Sequence, residues 1–117
     1  MWLRRLPAWR TLDFAGVQIA LTHGHGGWRR YLLDLPYFSF YGYRHERLIP
    51  RLLEDFPQAK VIVFGHGHQP LNRWINGQLL FNPGSPHFPE NKELAPSLGI
   101  LTIRDGNEVY GEILQLD

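Results

Sequence analysis

The 117-residue sequence contains no cysteine. That excludes disulfides, iron–sulfur clusters and thiolate zinc sites, so histidine and carboxylate must carry any metal chemistry. Net charge is nearly absent, with twelve Lys and Arg against eleven Asp and Glu. So even a balance gives no electrostatic case for nucleic acid as a main partner. No run reaches the ~18 uninterrupted apolar residues that a membrane span requires. Met1-Trp2-Leu3-Arg4-Arg5-Leu6-Pro7 carries arginines with no apolar core behind them, which argues against a signal peptide. The expectation is a soluble cytoplasmic protein. Internal repeats, low-complexity tracts and linkers are also lacking.

What is present is apolar material: 44% hydrophobic residues, with four Trp, five Tyr and seven Phe. That is enough for a packed core and too much for a disordered chain. The length suits one domain, or part of one.

The chain centres on Val61-Ile62-Val63-Phe64-Gly65-His66-Gly67-His68-Gln69-Pro70. Four consecutive large apolar residues suit a strand buried on both faces, as in the middle of a parallel sheet. Open α/β sheets bind ligands beyond the carboxyl ends of such strands, where the two histidines stand. Imidazole is a common ligand for zinc, manganese and related ions, and the flanking glycines let a loop fold tightly around an ion. By itself a His-x-His is more often a solvated turn.

A second strand ends the same way. Trp9 to Leu21 reads as a hairpin turning at Ala15-Gly16, and it runs directly into Thr22-His23-Gly24-His25-Gly26-Gly27. Residues 28–43 are aromatic, with a short helix expected over 28–33 and packing the expected role of the rest. From 44 to 56, Leu48, Ile49, Leu52, Leu53 and Phe56 share one helical face. Pro50 within it implies a kink or a first-turn position. Asn76-Gly77, between two strand-like runs, signals a type I′ hairpin. It leads into Asn82-Pro83-Gly84-Ser85, a rigid polar turn with amides available to an anion or to the histidine loops. Residues 86–97 read as a loop. A last hairpin pairs 98–103 with 109–114 through Asp105-Gly106-Asn107.

The order of these motifs resembles the C-terminal half of the calcineurin-like metallophosphoesterases, in the small phosphodiesterase branch that includes the retromer subunit Vps29. That family's second motif usually reads Gly-His-Thr-His-x-Pro, so Gly67 replaces a threonine. The resemblance implies an α/β (α+β) chain, rich in β-hairpins, forming part of a four-layer α-β-β-α sandwich. It implies a binuclear site of manganese, zinc, iron or nickel that hydrolyses phosphoesters with a metal-activated water. Carried over by position, His23, His66 and His68 become metal ligands. His25 becomes a neighbouring or phosphate-facing group, and Asn82, Gly84 and Ser85 a supporting loop.

The departure is equally informative. The family's Asp-x-His, Gly-Asp and Gly-Asn-x-Asp or Gly-Asn-His motifs are not in this sequence, and with them goes the bridging carboxylate. Three imidazoles without it do not offset the repulsion of two dications about 4 Å apart. The expected partners are therefore a phosphoester substrate and a complementary N-terminal half, from a longer polypeptide or a second chain. Against the enzyme stands a non-catalytic interaction scaffold, as in the retromer branch.

Overall fold

A computed structural model describes residues 9–22, 45–65, 69–86, 95–105 and 107–116, without the side chains of 45–47. Strand β1, Trp9–Phe14, turns into β2, Val17–Thr22. Ala15 and Gly16 both take positive φ, 52° and 81°, as a type I′ turn demands. The Gly16 amide donates to Asp13 Oδ1 at 3.1 Å. Helix α1, His45–Asp55, precedes β3, Val61–Phe64. Then come β4, Leu71–Ile75, and β5, Gln78–Asn82, joined by Asn76 and Gly77 at φ 49° and 82°. The chain closes with β6, Ser97–Arg104, and β7, Glu108–Gln115. Pro50 sits exposed inside α1, past its first turn, so of the two expected positions the first-turn one is not taken. The helix expected over 28–33 and the aromatic stretch 28–43 lie outside the described residues.

Five strands form one sheet in the order β1-β2-β3-β5-β4. β2, β3 and β5 are parallel, and the edge strands β1 and β4 pair antiparallel. Alternation along β3 sends Ile62 and Phe64 to one face and Val61 and Val63 to the other. On the first face they meet Ala20, Leu80 and the α1 side chains Leu48, Ile49, Leu52 and Phe56. On the second, Val61 packs with Val17, Ile19, Leu79, Phe81 and Val109, flanked by Leu101, Ile103 and Ile113. The cover on that second face, which one helix could not provide, is the closing hairpin. Among the described residues the layers are helix, five-stranded sheet and two-stranded sheet.

The helix is tied down at its carboxyl end. Gln78 Nε2 donates to the carbonyls of Phe56 and Ala59 at 2.8 and 2.9 Å. The Phe56 carbonyl also accepts from the Ala59 amide at 3.3 Å, so Gln78 adds a side-chain tie to the turn that follows the helix.

The two sheets touch most closely at Phe81. A Cβ on Gly99 would lie 2.5 Å from Phe81 Cε1, and one on Gly111 2.8 Å from Cε2. The ring occupies the space that side chains at 99 and 111 would fill. Beside it Asn72 Nδ2 donates to the Gly111 carbonyl at 2.7 Å, joining β4 to β7.

Gly99→Ala and Gly111→Ala should each lower stability by about 1–3 kcal/mol through overpacking, read from urea unfolding midpoints. Combining Gly99→Ala with Phe81→Leu should cost less than the sum of the single changes, because the two side chains compete for one space.

Candidate metal centre

The parallel strands decide where the motifs lie. Thr22 pairs with Phe64, and Val63 pairs with Phe81. The carboxyl ends of β2, β3 and β5 therefore stand side by side on one edge of the sheet. His23 follows Thr22 in sequence, His66 follows Gly65, and Asn82 is the last residue of β5. Both His-x-His segments thus start from adjacent strand ends, next to the turn after β5. His23, His25, His66 and His68 themselves lie outside the described residues, so their roles as ligands rest on sequence and resemblance.

The turn is described in detail. Asn82 is fully buried, and its Oδ1 accepts from the Gly84 amide at 2.9 Å. That bond closes an Asx turn across Pro83. It also engages the Gly84 amide, one of those read as available to an anion. Gly84 has φ 77°, where a Cβ would be strained, and that Cβ would overlap the Ser97 hydroxyl. The same position lies 3.5 Å from Pro70 Cδ, so the turn rests against the residue that ends the second histidine motif.

Ser97 is a residue that sequence reading missed. It is buried, donates through Oγ to the Pro83 carbonyl at 2.8 Å, and through its amide to the Ser85 carbonyl at 2.8 Å. Instead of closing a loop, Ser97 opens β6. Its partners lie in another element, so no local spacing pattern could have marked it.

Most of the described carboxylates lie at the opposite end, Glu112 in the middle of β7 excepted. Asp13 pairs across from Gln18 at the amino end of β2 and is held by the hairpin turn. Glu54 and Asp55 are exposed in the last turn of α1, whose following residue Phe56 is tied to Gln78 at the start of β5. Asp105 lies in the β6–β7 turn; a Cβ on Gly16, in the β1–β2 turn, would stand 3.2 Å from Asn107 Oδ1. Among the described residues no three His, Cys, Asp or Glu side chains come together. Nor, among them, is any helix long and apolar enough to cross a membrane.

Residues 1–106 match the calcineurin-like phosphoesterase superfamily domain. The chain belongs to that superfamily. It is 40% identical over 57 residues to a probable metallophosphoesterase of Methanothermobacter thermautotrophicus, an alignment covering 49% of this chain and 31% of that protein. A Thermotoga maritima protein of known solution structure is 30% identical, with a TM-score of 0.53 over 97% of this chain and 57% of that one. The fold is also that of Entamoeba histolytica Vps29 complexed with zinc, at TM-score 0.60 and 19% identity over 94% of this chain and 61% of that one. The chain thus spans less than two thirds of each of these relatives.

Ser97→Ala should leave the half-buried Pro83 carbonyl without this donor and cost about 1 kcal/mol in thermal unfolding. The amide resonances of Gly84 and Ser85 should shift with it. A stability loss with both resonances unmoved would show that Ser97 serves β6 alone and not the turn.

Proposed function

We propose that this chain is the C-terminal part of a metal-dependent phosphoesterase domain acting on phosphodiesters. The observation that supports it most directly is the shared edge at which β2, β3 and β5 end. It brings the starts of two His-x-His segments beside the Asn82 turn.

The donor set fits one divalent ion and does not complete a pair. His23, His66 and His68 offer neutral imidazoles, which suit manganese and also zinc, iron and nickel. Neutral donors leave the cationic field intact, whereas two dications about 4 Å apart need an anionic bridge. Among the described carboxylates, Asp13, Glu54, Asp55 and Asp105 stand at the other end of the sheet. The anionic ligands therefore fall to the complementary N-terminal half. When bound, such ions polarise the phosphoryl group and make water acidic enough to attack it in line.

The chain's own residues then have distinct tasks. By the resemblance, His25 would be a neighbouring or phosphate-facing group. The bonds from Gly84 to Asn82 and from Ser97 to Pro83 and Ser85 hold the turn in place beside Pro70. Each ligating imidazole would need an acceptor for its second N–H to fix the ring's orientation.

A second reading, a non-catalytic interaction scaffold, is favoured by one observation: the sequence lacks the family's carboxylate-bearing motifs. Metal binding separates the two.

Titration of the chain with Mn²⁺ should show binding that weakens by at least about tenfold in His66→Ala and in His68→Ala, since loss of a ligand should cost no less than loss of its orienting partner. Unchanged binding in both variants would overturn the metal assignment. Hydrolysis of bis-p-nitrophenyl phosphate should be absent from the chain alone and appear once the complementary half is supplied, then vanish in His66→Ala. A partner protein that binds equally well after chelation would support the scaffold.

A further inference from the structure

The inward positions of β6 are 97, 99, 101 and 103, by alternation from the packed Leu101 and Ile103. Packing alone asks for apolar residues there, and a buried hydroxyl is costly unless it is bonded. Ser97 is nevertheless polar, and it is only 1% exposed. Its two bonds reach the carbonyls of Pro83 and Ser85, on either side of Gly84. The Gly84 amide is itself held by Asn82 Oδ1. The Pro83–Gly84 peptide is therefore bonded at both its carbonyl and its amide, and the two holders come from different sheets.

What this turn touches connects it to the second histidine motif. Leu71 pairs with Asn82, and the β4–β5 ladder ends there. One residue before Leu71, Pro70 has no amide with which to extend the ladder. The surface it meets instead is the turn. A Cβ on Gly84 would overlap the Ser97 hydroxyl and stand 3.5 Å from Pro70 Cδ. Hydroxyl and ring thus share the space that a side chain at 84 would fill. Cδ is the ring atom bonded to the proline nitrogen, so whatever meets it also bears on the Gln69–Pro70 peptide. His68 directly precedes Gln69 in sequence.

We infer that Ser97 is a positioning residue for the second histidine segment. By holding the Pro83–Gly84 peptide it sets where Pro70 rests, and with Pro70 the base from which His68 serves a metal ion. The inference rests on the metal reading for the task of His68. It goes beyond that reading in giving a residue of the two-stranded sheet a part in ligand placement.

The test compares the full chain with Ser97→Ala, Pro70→Ala and the double variant. Co²⁺ alone is the probe, because its visible absorption follows the geometry of its ligands. Ser97→Ala should weaken Co²⁺ binding about tenfold, the lower range for loss of a residue that orients a ligand, and shift the absorption band of the complex. Pro70→Ala should give a similar loss, and the double variant no more than either, since both changes act along one path. Without metal, the Gln69 and Leu71 amide resonances should move in Ser97→Ala together with those of the turn.

A residue that only stabilises β6 would lower the unfolding midpoint and leave the absorption band, the affinity and the Gln69 resonance as they were. That result, with His66→Ala still weakening binding, would overturn the inference and leave the metal reading standing. Losses that add in full in the double variant would also overturn it. If the unaltered chain takes up no Co²⁺, the metal reading falls. An unmoved Gln69 resonance would then take the inference with it, and a moved one would keep Ser97 as the residue that places the segment.

Discussion

The contact of Phe81 with Gly99 and Gly111 is the constraint on which the arrangement turns. A sheet packs on another sheet at a distance set by the side chains between them. Here that distance is set locally by an aromatic ring seated over two positions that have no side chain. Phe81 is also the residue immediately before Asn82, so inter-sheet packing and the candidate site are one peptide bond apart. Moving the ring moves the start of the turn. Ser97 completes the link from the other sheet, because the strand that supplies Gly99 also supplies the hydroxyl and amide that hold Pro83 and Ser85.

A second regularity is the separation of chemistries along the strands. Neutral donors follow the carboxyl ends of β2 and β3 in sequence, whereas Asp13, Glu54, Asp55 and Asp105 lie toward the amino ends. The acidic groups there have local work: Asp13 closes a turn, and its hairpin neighbours the turn of the other sheet. A carboxylate bound to a backbone amide in a turn is not available to a cation across the sheet.

Much of this was legible in the residues. Val61-Ile62-Val63-Phe64 reads as a strand buried on both faces because nothing in it is polar, and it is central and parallel on both sides. Asn76-Gly77 named its turn, because both positions require left-handed backbone. The two strands leading to His-x-His were visible singly, and only parallel pairing shows that they end side by side. What could not be read were relations between distant elements. Ser97 looked like loop because its partners are in another element, and the closing hairpin looked like an appendage because its alternation does not say which sheet it covers. Pro50 misled in the other direction: in an exposed position it sits beyond the first turn of the helix, since packing of Leu48, Ile49 and Leu52 stabilises that turn more than one absent hydrogen bond weakens it.

These features combine into one dependence. The turn beside the histidine segments is fixed by Ser97, Ser97 by β6, and β6 by a sheet of two strands whose outer edge and outer face are uncovered among the described residues. A two-stranded sheet is marginal by itself, and here its Val109, Leu101, Ile103 and Ile113 pack onto the layer of Val17, Ile19, Leu79 and Phe81. Packing that fixes β6 on the large sheet therefore also fixes the turn, through the Ser97 hydroxyl and amide.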